Sequence, residues 1–243
     1  MNMYSNKQPA HIRSGKTEDQ RKKEKGKEMI VINKVSKLYS KGAETFIALD
    51  KISLKIEKGE FIAVSGASGA GKSSILNVIG GLIRPDSGTI MFDGKDICGL
   101  STRDTEEYRK KSVGFMFQQF HLMPYLTVLE NIKLACYDKD HLLNIERFLE
   151  KCSLSPLKNK YPDELSVGEK QRTAFVRAII TNPEILLADE PTGNLDPENS
   201  RILMSLVEDH HKKGGTVILV SHDPLTALYA NRSIVLDKGK LIH

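Results

Sequence analysis

The sequence predicts an α/β protein: a parallel sheet core, an antiparallel β layer ahead of it, and an α-helical subdomain inserted into it. Three observations predict this. Short, largely apolar runs at 60–65, 113–117, 185–189, 216–220 and 233–237 alternate with longer stretches of helical periodicity. Strands that are apolar on both faces belong to a parallel sheet covered by helices on each side. Ile52, Leu54 and Ile56 follow a period of two, with Ile30, Val31 and Ile32 upstream, which marks strands of an antiparallel layer. The mostly helical stretch from about 119 to 165 breaks the alternation and reads as the insert.

Taken in order, residues 1–28 carry eight Lys/Arg against four Asp/Glu and few apolar side chains, the pattern of a solvated, disordered basic tail. Two other readings are a segment drawn to anionic lipid headgroups and a natural start at Met29. Residues 29–243 form the predicted domain. Its strand at 60–65 runs into a glycine-rich loop and then a helix to about Leu82, with Ile75, Leu76, Val78 and Ile79 inward. Thr89–Phe92 adds a strand, Ser101 caps a helix, and Val113–Phe117 is the next strand. Residues 126–152 read mostly as helix, through Val128, Leu129 and Ile132 and later Leu142, Leu143, Ile145, Phe148 and Leu149. Helices at 168–181, 198–213 and 223–231 separate the last strands.

The balance of charge limits the partners. The chain of 243 residues has net charge +5, of which the first 28 residues supply +4, leaving a nearly neutral domain. A nucleic-acid-binding domain would carry a basic face in its folded part, so no nucleic-acid partner is expected. No apolar run approaches the roughly 18–20 residues that span a bilayer, and the first thirty residues lack the apolar centre of a secretory signal. The expected location is cytoplasmic. Cys98, Cys136 and Cys152 show no metal-ligand or redox spacing and read as reduced, partly buried thiols.

Chemistry begins at Gly66-Ala67-Ser68-Gly69-Ala70-Gly71-Lys72-Ser73, followed by Ser74. A loop that wraps a polyphosphate needs positions without Cβ, inward backbone N–H groups and a helix N-terminus behind them. Lys72 would reach the β- and γ-phosphates, and the Ser73 hydroxyl would ligate the Mg²⁺ that bridges them. Ile185–Ala188 is a buried strand ending in two carboxylates. Asp189 at its carboxyl end faces the nucleotide crevice and can hold Mg²⁺, and Glu190 can deprotonate the attacking water.

Leu165-Ser166-Val167-Gly168-Glu169, ahead of Lys170, Gln171 and Arg172, resembles the signature of ATP-binding-cassette (ABC) ATPases. Further elements of that family fall in order. Gln118 is similar to the Q-loop glutamine, Asn194-Leu195-Asp196 to the D-loop, and His222 to the switch histidine. Tyr39, or less closely Phe46, is similar to the aromatic residue that stacks on adenine. The resemblance covers essentially 29–243 and implies a P-loop NTPase (RecA-like) fold, with ATP and Mg²⁺ bound. Glu190, His222 and Gln118 would then be catalytic. Ser73, Gln118 and Asp189 would hold the metal, and Ser166, Gly168 and Asp196 would belong to the nucleotide site. It also implies two copies paired head to tail, each closing Ser166 and Gly168 over the other's ATP. The partner would be an integral membrane permease, contacted near Phe120, Leu122 and Tyr125, although these side chains can equally pack within the insert. The chain itself would lie peripherally on the inner face of the cell membrane.

The stretches 118–131 and 188–196 look like the group of lipoprotein-releasing (LolD), macrolide-exporter (MacB) and cell-division (FtsE) ATPases. Lipoprotein release is the first expectation, with efflux and division as alternatives. Soluble ABC ATPases of DNA maintenance insert long coiled coils between phosphate loop and signature, whereas here Lys72 and Ser166 are only 94 positions apart. The signature departs from its usual form at Val167, where glycine is common. A β-branched residue would be strained there if the position took a positive φ.

Overall fold

A computed structural model describes residues 27–42 and 44–242. The predicted tail lies outside these residues apart from Lys27 and Glu28, and Glu28 already opens the first strand.

Two strands of fourteen residues, β1 (Glu28–Lys41) and β2 (Glu44–Glu57), form a long antiparallel hairpin. With β4 (Ser87–Phe92) and β5 (Lys95–Asp96) they make a four-stranded sheet in the order β2-β1-β4-β5. The alternation read from the sequence is real: Ile52, Leu54 and Ile56 are buried, while Lys51, Ser53, Lys55 and Glu57 are exposed. The hairpin runs further than that pattern, because its distal half, from about Leu38 to Ile47, places large apolar side chains in solvent.

The second sheet contains β3 (Phe61–Ser65), β6 (Val113–Met116), β7 (Ile185–Asp189), β8 (Thr216–Val220), β9 (Arg232–Asp237) and β10 (Lys240–Ile242), in the order β10-β9-β3-β8-β7-β6. Its pairs are parallel except at β10, which turns back antiparallel along the β9 edge. The sheet is therefore mixed at one edge. Successive residues feed opposite cores: Ile185, Leu187, Ile218 and Val220 face the antiparallel sheet and α1 (Lys72–Ile79), whereas Leu186, Ala188, Val217 and Leu219 face the helices of the other side. A fully buried Leu, Ile or Val contributes about 1.5–3 kcal/mol, so this double burial fixes the strand register.

The other helices are α2 (Thr102–Ser112), α3 (Val128–Lys133), α4 (Lys139–Lys151), α5 (Val167–Ile179), α6 (Pro197–Lys212) and the single turn α7 (Pro224–Ala227). Ser101, Thr127, Asp138, Ser166 and Asp196 each accept a backbone N–H at a helix N-terminus. The mostly helical stretch expected over 126–152 is two helices: α3 ends at Lys133, and the Asp138 cap restarts the chain as α4. The helix expected at 223–231 is only the α7 turn. All three cysteines are free, and burial pushes the Cys152 thiol up to about 12.

Candidate functional site

The phosphate loop joins β3 to α1 and is closed by other strands. A Cβ on Gly66 would lie 2.1 Å from the Leu236 carbonyl oxygen of β9, and one on Gly71 would lie 2.1 Å from the Ala48 oxygen of β2. Gly66, Gly69 and Gly71 all have positive φ. Two of the glycines are thus demanded by neighbouring backbone as well as by the loop's own turn. The Gly239 amide donates to Ala70 O at 3.0 Å, which ties the β9–β10 turn to the same loop. Ala67, Ser68, Gly69 and Ser73 are exposed, Ser74 is half-buried, and Ala70 and Lys72 are buried. The Lys72 ammonium donates to Gly66 O at 2.8 Å and Ala67 O at 2.9 Å, so its charge sits inside the loop.

The carboxylates arrive from β7. Asp189 receives a hydrogen bond from the Ser73 hydroxyl, yet burial, seconded by the adjacent Glu190 charge, holds its pKa above the usual carboxylate range. Glu190 has φ +44, a left-handed conformation costing about 1–3 kcal/mol for a non-glycine residue. Its amide donates to Val220 O at 2.9 Å, which anchors the turn to β8. The turn aims the carboxylate at two groups from distant elements. Gln118 Nε2 donates to Glu190 Oε2 at 3.3 Å, and His222 Nδ1 lies 3.4 Å from Glu190 Oε1. The left-handed turn thus sits where three polar side chains from distant elements meet.

Ser73, Asp189 and Gln118, the three residues predicted to hold Mg²⁺, offer oxygen donors, which suits a hard cation. Among the described residues no cluster of three His, Cys, Asp or Glu forms a protein-only cage. Mg²⁺ characteristically uses one or two carboxylates and completes its shell with water and phosphate oxygens, so this sparse set fits it.

Tyr39 and Phe46 face each other across the hairpin and stack with centroids 5.5 Å apart and planes at 23°. The two residues weighed as alternatives for adenine stacking therefore form one aromatic pair, with the Lys37 ammonium 5.7 Å from the Tyr39 ring.

The signature residues stand apart. Among the described residues no hydrogen bond joins 166–172 to the phosphate loop of the same chain. Ser166 caps α5 in a reciprocal box with Glu169, whose N–H donates to Ser166 Oγ at 3.3 Å while its carboxylate accepts the Ser166 N–H at 2.7 Å. Val167 opens the helix with an ordinary negative φ and is 44 % exposed, so the strain considered for it is absent. Gly168 is the position where a Cβ would meet a neighbour, lying 2.4 Å from Asn199 Oδ1. Asp196 spends its carboxylate on the backbone amides of Glu198 and Asn199 and on the Asn199 side chain.

Sequence reasoning left three residues without a role. Buried Gln171 donates to Pro191 O at 2.6 Å, linking the signature helix to the residue after Glu190. Arg177 donates to Phe120 O at 2.7 Å and His121 O at 2.6 Å, just beyond Gln118. Asn199 bridges α5 and α6. Gln171 at least stood beside a recognised motif; Arg177 and Asn199 carried no local signal.

The fold and this constellation define a nucleotide-hydrolysing cassette. Residues 49–193 match the ABC transporter family, and the chain belongs to it as an ABC ATPase. It is 41% identical over 219 residues to an uncharacterised ABC transporter ATP-binding protein, YknY of Bacillus subtilis, covering 88% of this chain and 95% of that one. It is 38% identical to the lipoprotein-releasing system ATP-binding protein LolD of Treponema denticola, covering 88% and 98%. It is also 38% identical to the macrolide export ATP-binding/permease protein MacB of Chlorobaculum tepidum, covering 88% of this chain and 34% of that longer one. Among solved structures, the dimeric post-hydrolysis cassette MJ0796 bound to ADP and Pi superposes with a TM-score of 0.83 at 35% identity, covering 88% and 97%.

Proposed function

We propose that two copies of this chain pair head to tail around two ATP molecules and drive a membrane permease, with lipoprotein release as the transport served. The observation that carries hydrolysis is the strained Glu190 turn, whose carboxylate meets Gln118 and His222. Glu190 takes the proton of the water that attacks the γ-phosphate. Gln118 orients that water, and His222 holds Glu190 from its exposed side. Lys72 exchanges its two carbonyl partners for phosphate oxygens, and the Tyr39–Phe46 pair offers adenine a stacking face. Ser73, Asp189 and Gln118 would hold Mg²⁺, which neutralises phosphate charge when bound.

Pairing is supported by the separation of the two half-sites on one chain and by the dimeric state of the MJ0796 structure. In the pair, Ser166, Gly168 and the N-terminus of α5 meet the other copy's γ-phosphate, where the helix dipole favours negative charge. The Asp196 turn lies beside them. No helix among the described residues is long and apolar enough to cross a membrane, and in this reading the permease supplies the spans that the cassette drives. Exposed Tyr125, beyond Gln118, belongs to the surface that would receive them on the inner face of the membrane.

Lipoprotein release rests on the motif resemblance at 118–131 and 188–196 and on the LolD relative. Efflux is the second reading, favoured by the MacB relative at the same identity. The test is capture of the Glu190→Gln protein with Mg-ATP from native membranes. Co-purification of a lipoprotein-binding permease supports the first reading, a drug- or peptide-exporting permease the second. Recovery of soluble partners alone removes the transporter reading.

A further inference from the structure

Exposed Ser166 and Val167 and the Gly193–Asp196 turn, exposed except at half-buried Leu195, are joined on the signature side by one side chain. Asn199, the third residue of α6, is half-buried between them. Its Nδ2 donates to Asp196 Oδ2 at 2.6 Å and its backbone N–H to Asp196 Oδ1 at 3.0 Å. From the other side Arg172 of α5 donates to Asn199 Oδ1 at 2.8 Å, the one hydrogen bond this guanidinium makes among the described residues. Gly168 completes the contact by absence: a Cβ there would lie 2.4 Å from Asn199 Oδ1 and 2.6 Å from its Cγ. Both ends of the amide are bonded, so rotating the side chain away from such a Cβ breaks those hydrogen bonds.

We propose that Asn199 is a positioning residue that locks the signature-helix N-terminus and the Asp196 turn into one face, so that both meet the second copy's nucleotide in a single register. The inference rests on the head-to-tail reading above. A helix cap alone would need only the bond from the Asn199 backbone to Asp196. The bridge to Arg172 and the fit against Gly168 join separate elements and add nothing to capping. Gly168 therefore has a reason in this chain independent of phosphate approach, since it leaves the space that the Asn199 amide fills.

The test uses the full chain with Glu190→Gln, so that ATP is retained, and reads two quantities. One is the dimer dissociation constant with Mg-ATP, by sedimentation; the other is the affinity of the single chain for a fluorescent ATP analogue at low protein concentration. Asn199→Ala is expected to weaken the dimer about tenfold, the size of a coupling between residues in one network, while analogue affinity stays within about twofold. Gly168→Ala is expected to weaken the dimer strongly beside Asn199 and much less in the Asn199→Ala background, where the clash is gone. An unchanged dimer constant in Asn199→Ala, with only a lowered melting temperature, overturns the proposal and leaves a helix cap. Strict additivity of the two substitutions also overturns it. If Glu190→Gln itself forms no dimer with ATP, the head-to-tail reading falls and takes this inference with it.

Discussion

The phosphate-loop half-site and the signature half-site are built by opposite means. The first collects strand ends of the central sheet and stores unfavourable local terms: a left-handed Glu190 and a buried Asp189 whose charge is disfavoured. The second collects helix N-termini, with Ser166 and Asp196 bonded within their own turns. Chemistry requires groups held away from their relaxed state, and the surrounding sheet must over-determine them. A surface that docks requires only that its shape be kept. Substitutions at the strained carboxylates of the first half should therefore change activity far more than stability, and removal of a cap in the second should change both modestly.

The sharpest break is at Glu190. Glu190→Gln keeps the shape of the turn and removes the base, so turnover should fall about 10²–10⁴-fold while ATP binding persists, as single-turnover and nucleotide-binding assays would show. Unchanged turnover would remove Glu190 from its role. Next, Gly71→Ala places a methyl against the Ala48 carbonyl at a position with φ +101. It should abolish nucleotide binding and cost several kcal/mol, about 2–4 °C of melting temperature per kcal/mol.

Asp189 gives the comparison a sign. Because its folded pKa is raised, the native state holds this proton more tightly than the unfolded chain does. Stability should fall as pH rises from the unfolded value of about 4 through the folded pKa, and the penalty should remain above it. Asp189→Asn should accordingly raise the melting temperature at neutral pH and abolish Mg-ATP hydrolysis. A lower melting temperature would contradict the assignment of burial as the dominant cause. On the signature side, Ser166→Ala removes a cap and should cost about 1 kcal/mol, with slower turnover and unchanged single-chain ATP affinity. The smallest effect belongs to Val167→Gly. The exposed first helical residue should lose less than about 1 kcal/mol, and turnover should hold or rise. A large fall in turnover would show that Val167 is fitted to the second copy.

Much of this was legible beforehand, for identifiable reasons. The phosphate loop, the Asp189-Glu190 pair and the capped signature are short-range patterns in which residue type and spacing already encode the geometry. The central strands were equally plain, because burial on both faces forces an unbroken apolar run. The long hairpin was read only where it packs. Around Phe46 and Ile47, 55 % and 54 % exposed, the one-sided burial that makes a strand visible is missing. The break within the mostly helical stretch 126–152 has no plain signal, because apolar residues recur on both sides of it and the Asp138 cap that restarts the helix is a single polar residue.

The sequence by itself determined the fold class, the central strands and the family, since these depend on local pattern and on motifs contiguous in the chain. Tertiary structure alone decided that Gln118 and His222 converge on Glu190 at 3.3 and 3.4 Å, although Gln118 lies 72 positions away in the chain. It alone placed Tyr39 on Phe46, Arg177 on the segment after Gln118, and Asn199 against Gly168. Contacts between distant elements follow from how helices and sheets pack to fill space, and no local propensity encodes that packing.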